Sequence, residues 1–82
     1  MIHELKTWPE FFQAVIDGKK TFEVRKNDRD FQTGDDLLLK EFDPVTETFS
    51  GREIKVNVSY ILEGGNFGII SGAVVMAIVV NK

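Results

Sequence analysis

The hydrophobic pattern of this chain takes a helical period only once, and that limits what it can fold into. Trp8, Phe11, Phe12, Val15 and Ile16 recur at i, i+3, i+4, i+7 and i+8, the apolar stripe of a single helix. The other apolar stretches alternate with period two or run as short unbroken blocks, which are strand signals. A sheet with one helix to cover it must bury its remaining apolar surface against itself. A small, partly closed barrel does this and removes exposed strand edges. The expected class is α+β, mainly β, with about five strands and one helix after the first. At 82 residues the chain is one domain, 1–82, with a thin core that buries roughly 60–65% of the unfolded surface.

The elements follow in order. Residues 2–6 read as a short strand. Thr7 is placed to cap the helix, Glu10 to complete a capping box, and Pro9 fits the first turn. The stripe assigns Trp8 to the core. Gly18 stops the helix. A second strand spans 21–26, with Phe22 and Val24 facing the core and Thr21, Glu23 and Arg25 the other side. Asn27 to Asp30 is a polar turn, and a third strand spans 36–42. A hairpin loop runs from Asp43 to Gly51 into strand 52–62, with Ile54, Val56, Val58 and Tyr60 inward. Residues 64–72 hold four glycines and Phe67 and read as a mobile loop. The nearly continuous apolar run 74–80 reads as a central buried strand.

Composition removes several kinds of chemistry. There is no cysteine, so disulfides, thiolate metal sites and cysteine nucleophiles are excluded. One histidine cannot build a multi-histidine zinc site. No metal or cofactor is expected. No apolar run reaches the ~18 residues of a membrane-spanning helix, and Met1 to Lys6 lacks the layout of a signal peptide. No membrane association is expected, and a cytoplasmic location is the default. Net charge is −3, unlike the basic excess of a nonspecific duplex binder. The charge is uneven, however. Lys19 to Arg29 carries five cations against two anions, a local +3, and the rest of the chain carries −6. Such a patch suits one or a few phosphates, or a carboxylate, better than a long duplex.

The most informative string is Gly18-Lys19-Lys20-Thr21-Phe22-Glu23-Val24-Arg25, which fits G-x-K-x-x-E-x-R. Gly18 allows the positive φ of a sharp turn after the helix. In a regular strand Lys20 and Glu23 would point to opposite faces, so either Lys20 precedes the strand or a bulge intervenes. A Lys–Glu–Arg cluster offers donors and an acceptor, the mixture a nucleobase edge or sugar-phosphate needs. Arg25 suits bidentate phosphate contact and Lys20 a single point charge.

This motif resembles the signature of ASCH domains in the PUA-like superfamily. With His3-Glu4-Leu5-Lys6, Phe12, the run to Asp30, Phe31-x-x-Gly34-Asp35, Tyr60 to Gly65 and Val75-Met76, the whole chain is similar to the DUF3850 family of small ASCH-like proteins. The resemblance implies a PUA-like barrel of five or six strands with a cleft lined by the motif, and binding of RNA or modified nucleobases. Some small ASCH proteins hydrolyse acylated cytidine with a Lys matching Lys20, a Thr three residues on and a separate Glu. Here Glu23 stands in place of that Thr, and Glu63 matches the separate Glu loosely.

Three readings follow. In the first, the chain is a binding module for RNA or a modified nucleotide, with His3, Lys6, Lys20, Glu23, Arg25, Lys26, Asn27 and Arg29 as candidate contacts. In the second, it is a small amidohydrolase with Lys20 and Glu23 or Glu63 as the reactive pair. In the third, a protein partner docks on the open barrel edge or the 64–72 loop. Plainer roles stand beside these. Glu23 and Arg25 can pair on the strand surface, Lys19, Lys26 and Arg29 can be a solvated turn, and Asn27 can cap the next turn. His3 can be structural, Trp8 can be core or stack on a base at the cleft mouth, and Phe67 can be a lid aromatic or a loop anchor. Asp28-x-Asp30 lacks the Gly and Glu of a calcium loop, and the Gly64 loop lacks the Lys-Ser/Thr of a P-loop. Asn57-Val58-Ser59 is a sequon placed within a strand.

Overall fold

In the computed structural model, residues 1–80 are described. They form β1 (Ile2–Thr7), α1 (Pro9–Ile16), β2 (Phe22–Lys26), β3 (Asp36–Asp43), β4 (Thr48–Glu63) and β5 (Ala73–Val80). The strands make one sheet in the order β1-β3-β4-β5-β2, curved as a half-barrel. β1 and β3 are parallel, and the other pairs are antiparallel. The two strands flanking α1 in sequence are therefore the two free edges. No helix among the described residues is long and apolar enough to cross a membrane.

The inner face follows period two. Leu5 on β1, Leu37 and Leu39 on β3, Val56 and Val58 on β4, and Val74, Met76 and Ile78 on β5 are all buried. α1 packs against β3 and adds Phe12 and Val15 to this core, joined by Phe31 from the loop before β3. A Leu-to-Ala change at such a site typically costs ~2–5 kcal/mol.

Several expectations need correction. Thr7 does not cap the helix. It is the last residue of β1 with its side chain buried, and the N-cap is Trp8, which makes no side-chain cap bond. The stripe buries Phe12 and Val15 but leaves Trp8, Phe11 and Ile16 exposed, because one face of an eight-residue helix meets the sheet. Tyr60 points outward. The register of β4 against β5 shifts between Val58 and Tyr60, so the extra residue turns Tyr60 out and brings Ile61 against the core. β5 is paired on both edges but buries alternate residues only, with Val79 exposed on its outer face. The hairpin turn is tighter than expected, with β4 starting at Thr48. Asp43 Oδ1 accepts from Val45 N–H at 2.8 Å and Thr46 N–H at 3.4 Å there. The 64–72 connection is held by main-chain bonds, among them Gly64 N–H to Ala73 O at 2.7 Å and Gly65 N–H to Ile69 O at 2.8 Å.

The facing of β2 is the reverse of expectation. Glu23 is buried opposite Met76, and Phe22 and Val24 face outward. Burying a lone carboxylate is costly, so this parity holds only because the acid arrives with partners.

Candidate functional site

Those partners are set by how α1 ends. Gly18 sits at φ 74°, and its N–H donates to Val15 O at 3.1 Å. Lys19 N–H donates to Ala14 O at 2.9 Å, which completes a Schellman turn. Lys20 N–H reaches the same Ala14 carbonyl at 3.0 Å. Lys20 is thus fixed two residues before β2 starts, outside strand parity, and its side chain turns back toward Glu23. Its ammonium donates to Glu23 Oε1 and, at 2.8 Å, to Phe22 O. Arg25 shares the inner face with Glu23, and its Nε donates to Oε2 at 3.0 Å. Each carboxylate oxygen of Glu23 therefore has its own cationic donor.

The same arginine crosses the gap between the sheet edges. Arg25 Nη2 donates to Lys6 O on β1 at 2.7 Å, and Arg29 Nη1 donates to Glu4 O at 2.6 Å. β1 and β2 do not pair through their main chains, so the barrel seam is stitched by guanidinium groups on otherwise unpaired strand carbonyls.

A cleft of about 650 Å³ opens at this seam, within the ~300–1,000 Å³ of small-molecule sites. Trp8 and Phe11 form one wall, with ring centroids 5.9 Å apart and planes at 19°, and Phe22 and Val24 contribute from β2. Lys20 Nζ lies between the aromatic groups, 5.2 Å from the Phe22 ring centroid and 6.0 Å from that of Phe11. Lys6 and Lys19 also line the cleft. Its charged residues are four cations (Lys6, Lys19, Lys20, Arg25) and one anion (Glu23), a net +3 on a chain of −3. Thr7 lines it as well. Its Oγ1 is the one fully buried side-chain polar atom among the described residues without a hydrogen-bond partner. A buried hydroxyl left unpaired costs ~1–3 kcal/mol.

Lys20, Glu23 and Arg25 thus converge, and Lys6 joins them at the cleft. The other candidates lie elsewhere. His3 is buried, with Nε2 2.9 Å from Asp35 Oδ2 and its ring edge-on to Phe31 at 4.8 Å. Asp35 is ionised and acceptor-only, so His3 Nε2–H is the donor. This bond holds the Asp35 carboxyl below its ordinary 3.8, helped by the N–H of Gln32 and opposed by burial. Asn27 Oδ1 accepts from Phe31 N–H at 3.2 Å, a turn cap. Arg29 serves the seam. Lys26 is exposed and lines a second hollow beside the 68–73 segment. Glu63 is exposed at the end of β4, at the register of Arg25 with Val74 of β5 between them, and does not line the cleft. No cluster of three potential metal ligands occurs among the described residues.

Pattern reading did not select Phe11, Phe22, Thr7 or Lys19 as site residues. A signal existed for the aromatics, since Trp8 and Phe11 stand at i, i+3 beside Pro9, at the helix end nearest the strand edge. None existed for Thr7, whose residue type fits a cap equally well.

Comparison with known proteins places the chain. A model of the family described as a domain of unknown function, DUF3850, matches residues 2–78. The chain belongs to the DUF3850 family. This DUF3850 chain is 37% identical over 62 residues to an uncharacterised 12.9 kDa protein in the GpA 3′ region of Escherichia phage P2. The match covers 76% of the chain and 55% of the phage protein, so the chain spans about half the length of the curated relative it matches. In fold it is similar to the crystal structure of hypothetical protein PH0355, with a TM-score of 0.71 and 19% identity over 99% of this chain and 100% of that one. At that identity the likeness speaks to the fold alone.

Proposed function

We propose that the seam cleft binds RNA or a modified ribonucleotide, making this DUF3850 chain a recognition module of the ASCH and PUA-like kind. One observation carries the reading: an aromatic-walled cleft with a net charge of +3, floored by the Lys20–Glu23–Arg25 cluster, on an otherwise acidic chain. Aromatic faces take a base by stacking, worth ~1–3 kcal/mol per base. Lysines take the phosphate as point charges. The internal bonds divide the labour. Glu23 and two cations hold one another, so they shape and polarise the floor. Trp8, Phe11, Phe22, Lys6 and Lys19 are exposed lining groups outside that set.

An amidohydrolase reading has less support, since Lys20 is engaged by Glu23 and the Phe22 carbonyl and Glu63 lies off the cleft. Turnover of acetylcytidine that vanishes in a folded Lys20→Ala variant would reverse that preference. The binding reading is tested by NMR titration with ribonucleotides. Shifts in Trp8 and residues 19–25, with affinity falling as salt rises, are expected. No shift at millimolar ligand would overturn it.

A further inference from the structure

A second hollow, about 610 Å³, lies against the first. It is lined by Lys26, Ile69, Ile70 and Val75, and it shares Val24 and Arg25 with the seam cleft. The two adjoin because the side chains of β2 separate them. Val24 faces outward with Val75 beside it, and Arg25 reaches the seam. The second hollow contains the cations Arg25 and Lys26 and no acid. Taken together the two hollows carry five cations against Glu23, a net +4, which leaves −7 on the rest of the chain. Neighbouring apolar surface extends the platform. Ile70 is 77% exposed, and Phe67, adjoining the lining residue Gly68, is 87% exposed at φ 55°.

We infer that the ligand is a single-stranded oligonucleotide of at least two nucleotides, with its second base on Ile70 and Val75 and the linking phosphate at Lys26, which is exposed on the same face of β2 as Val24. This rests on the nucleotide reading of the seam cleft and goes beyond it by assigning the second hollow and by favouring a strand over a free nucleotide. The charge balance favours an anionic strand over a protein partner. A continuous cationic groove with apolar platforms is how proteins follow single strands without strong sequence preference.

The test compares a 5′-mononucleotide with di- and trinucleotides of the same base, by calorimetry on the full chain and on Ile70→Glu. Ile70 is exposed, so the substitution leaves the core intact, and circular dichroism checks this. The dinucleotide is expected to bind about 5- to 150-fold tighter than the mononucleotide, as one added stack gives. Ile70→Glu is expected to erase that gain while mononucleotide affinity stays the same. If the mononucleotide binds and the dinucleotide binds no tighter, the inference fails and the seam-cleft reading stands. Equal loss for both ligands in Ile70→Glu also overturns it. If nothing binds, both readings fall. A concentration-dependent dimer that Ile70→Glu abolishes would assign the face to a second copy and overturn the strand.

Discussion

Arg25→Met removes the guanidinium while keeping an apolar stem of similar length. Two bonds go with it, to Glu23 Oε2 at 3.0 Å and to Lys6 O at 2.7 Å. Hydrogen bonds to charged groups are worth ~1.5–3 kcal/mol each. Arg25 is 27% exposed and Glu23 keeps Lys20, so the lower part of that range applies. The expected loss is about 2–4 kcal/mol. A domain of this length holds only about 4–12 kcal/mol in all. The melting temperature should therefore drop by about 10–25 °C. Urea denaturation followed by far-UV circular dichroism, with thermal melts beside it, reads both numbers. Arg25→Lys keeps the charge but not two divergent donors, and should recover about half of the loss. If Arg25→Met costs under ~0.5 kcal/mol, the bonds are surface pairs of the ordinary weak kind, and the stitched seam is not what holds β1 to β2.

Three further outcomes follow from the same geometry. Gly18→Ala places a side chain at φ 74°, where a Cβ meets no atom within 4 Å, so only the backbone penalty of ~1–2 kcal/mol is expected in urea titration. Gly64→Ala is expected to be worse, above ~2 kcal/mol, since its Cβ would press on the main-chain carbonyls of Ile70 and, at 2.8 Å, Ala73; equal stability of the two variants would refute the contrast. Asp35 titrates below its ordinary 3.8 in the fold, so its contribution is complete above that pH and is lost as pH falls through the folded value; Asp35→Asn should flatten the decline in stability below pH 3.8, and an unchanged acid profile would deny the His3 bond its role.

The parts of the fold that were legible are those set by local pattern. The period of α1, its stop at Gly18 and the five strands follow from spacing and turn chemistry within a few residues. What could not be read depends on partners distant in sequence. The alternation Phe22, Glu23, Val24, Arg25 says apolar inward, and the structure turns it over. Lys20 folds back from the Schellman turn and Arg25 reaches Lys6 of β1, so the acid is neutralised where it is buried. Tyr60 was misplaced for a similar reason, as one extra residue in β4 flips every side chain after it, and nothing in Val58-Ser59-Tyr60 announces a bulge. Of the site, the Lys–Glu–Arg cluster was visible in the G-x-K-x-x-E-x-R string. The aromatic wall and the orphan Thr7 hydroxyl arise only once β1, α1 and β2 meet at the seam.

A seam cleft that recognises nucleotides must accept a base. Trp8 is the only tryptophan in the chain and lines that cleft, so its fluorescence reports occupancy without a label. Titrating a 5′-ribonucleotide should quench Trp8 saturably, with the midpoint moving to higher ligand as salt is raised and binding weakened by Lys19→Glu. Fluorescence that stays constant, or quenching that never saturates and ignores both salt and Lys19→Glu, would contradict nucleotide recognition at the cleft.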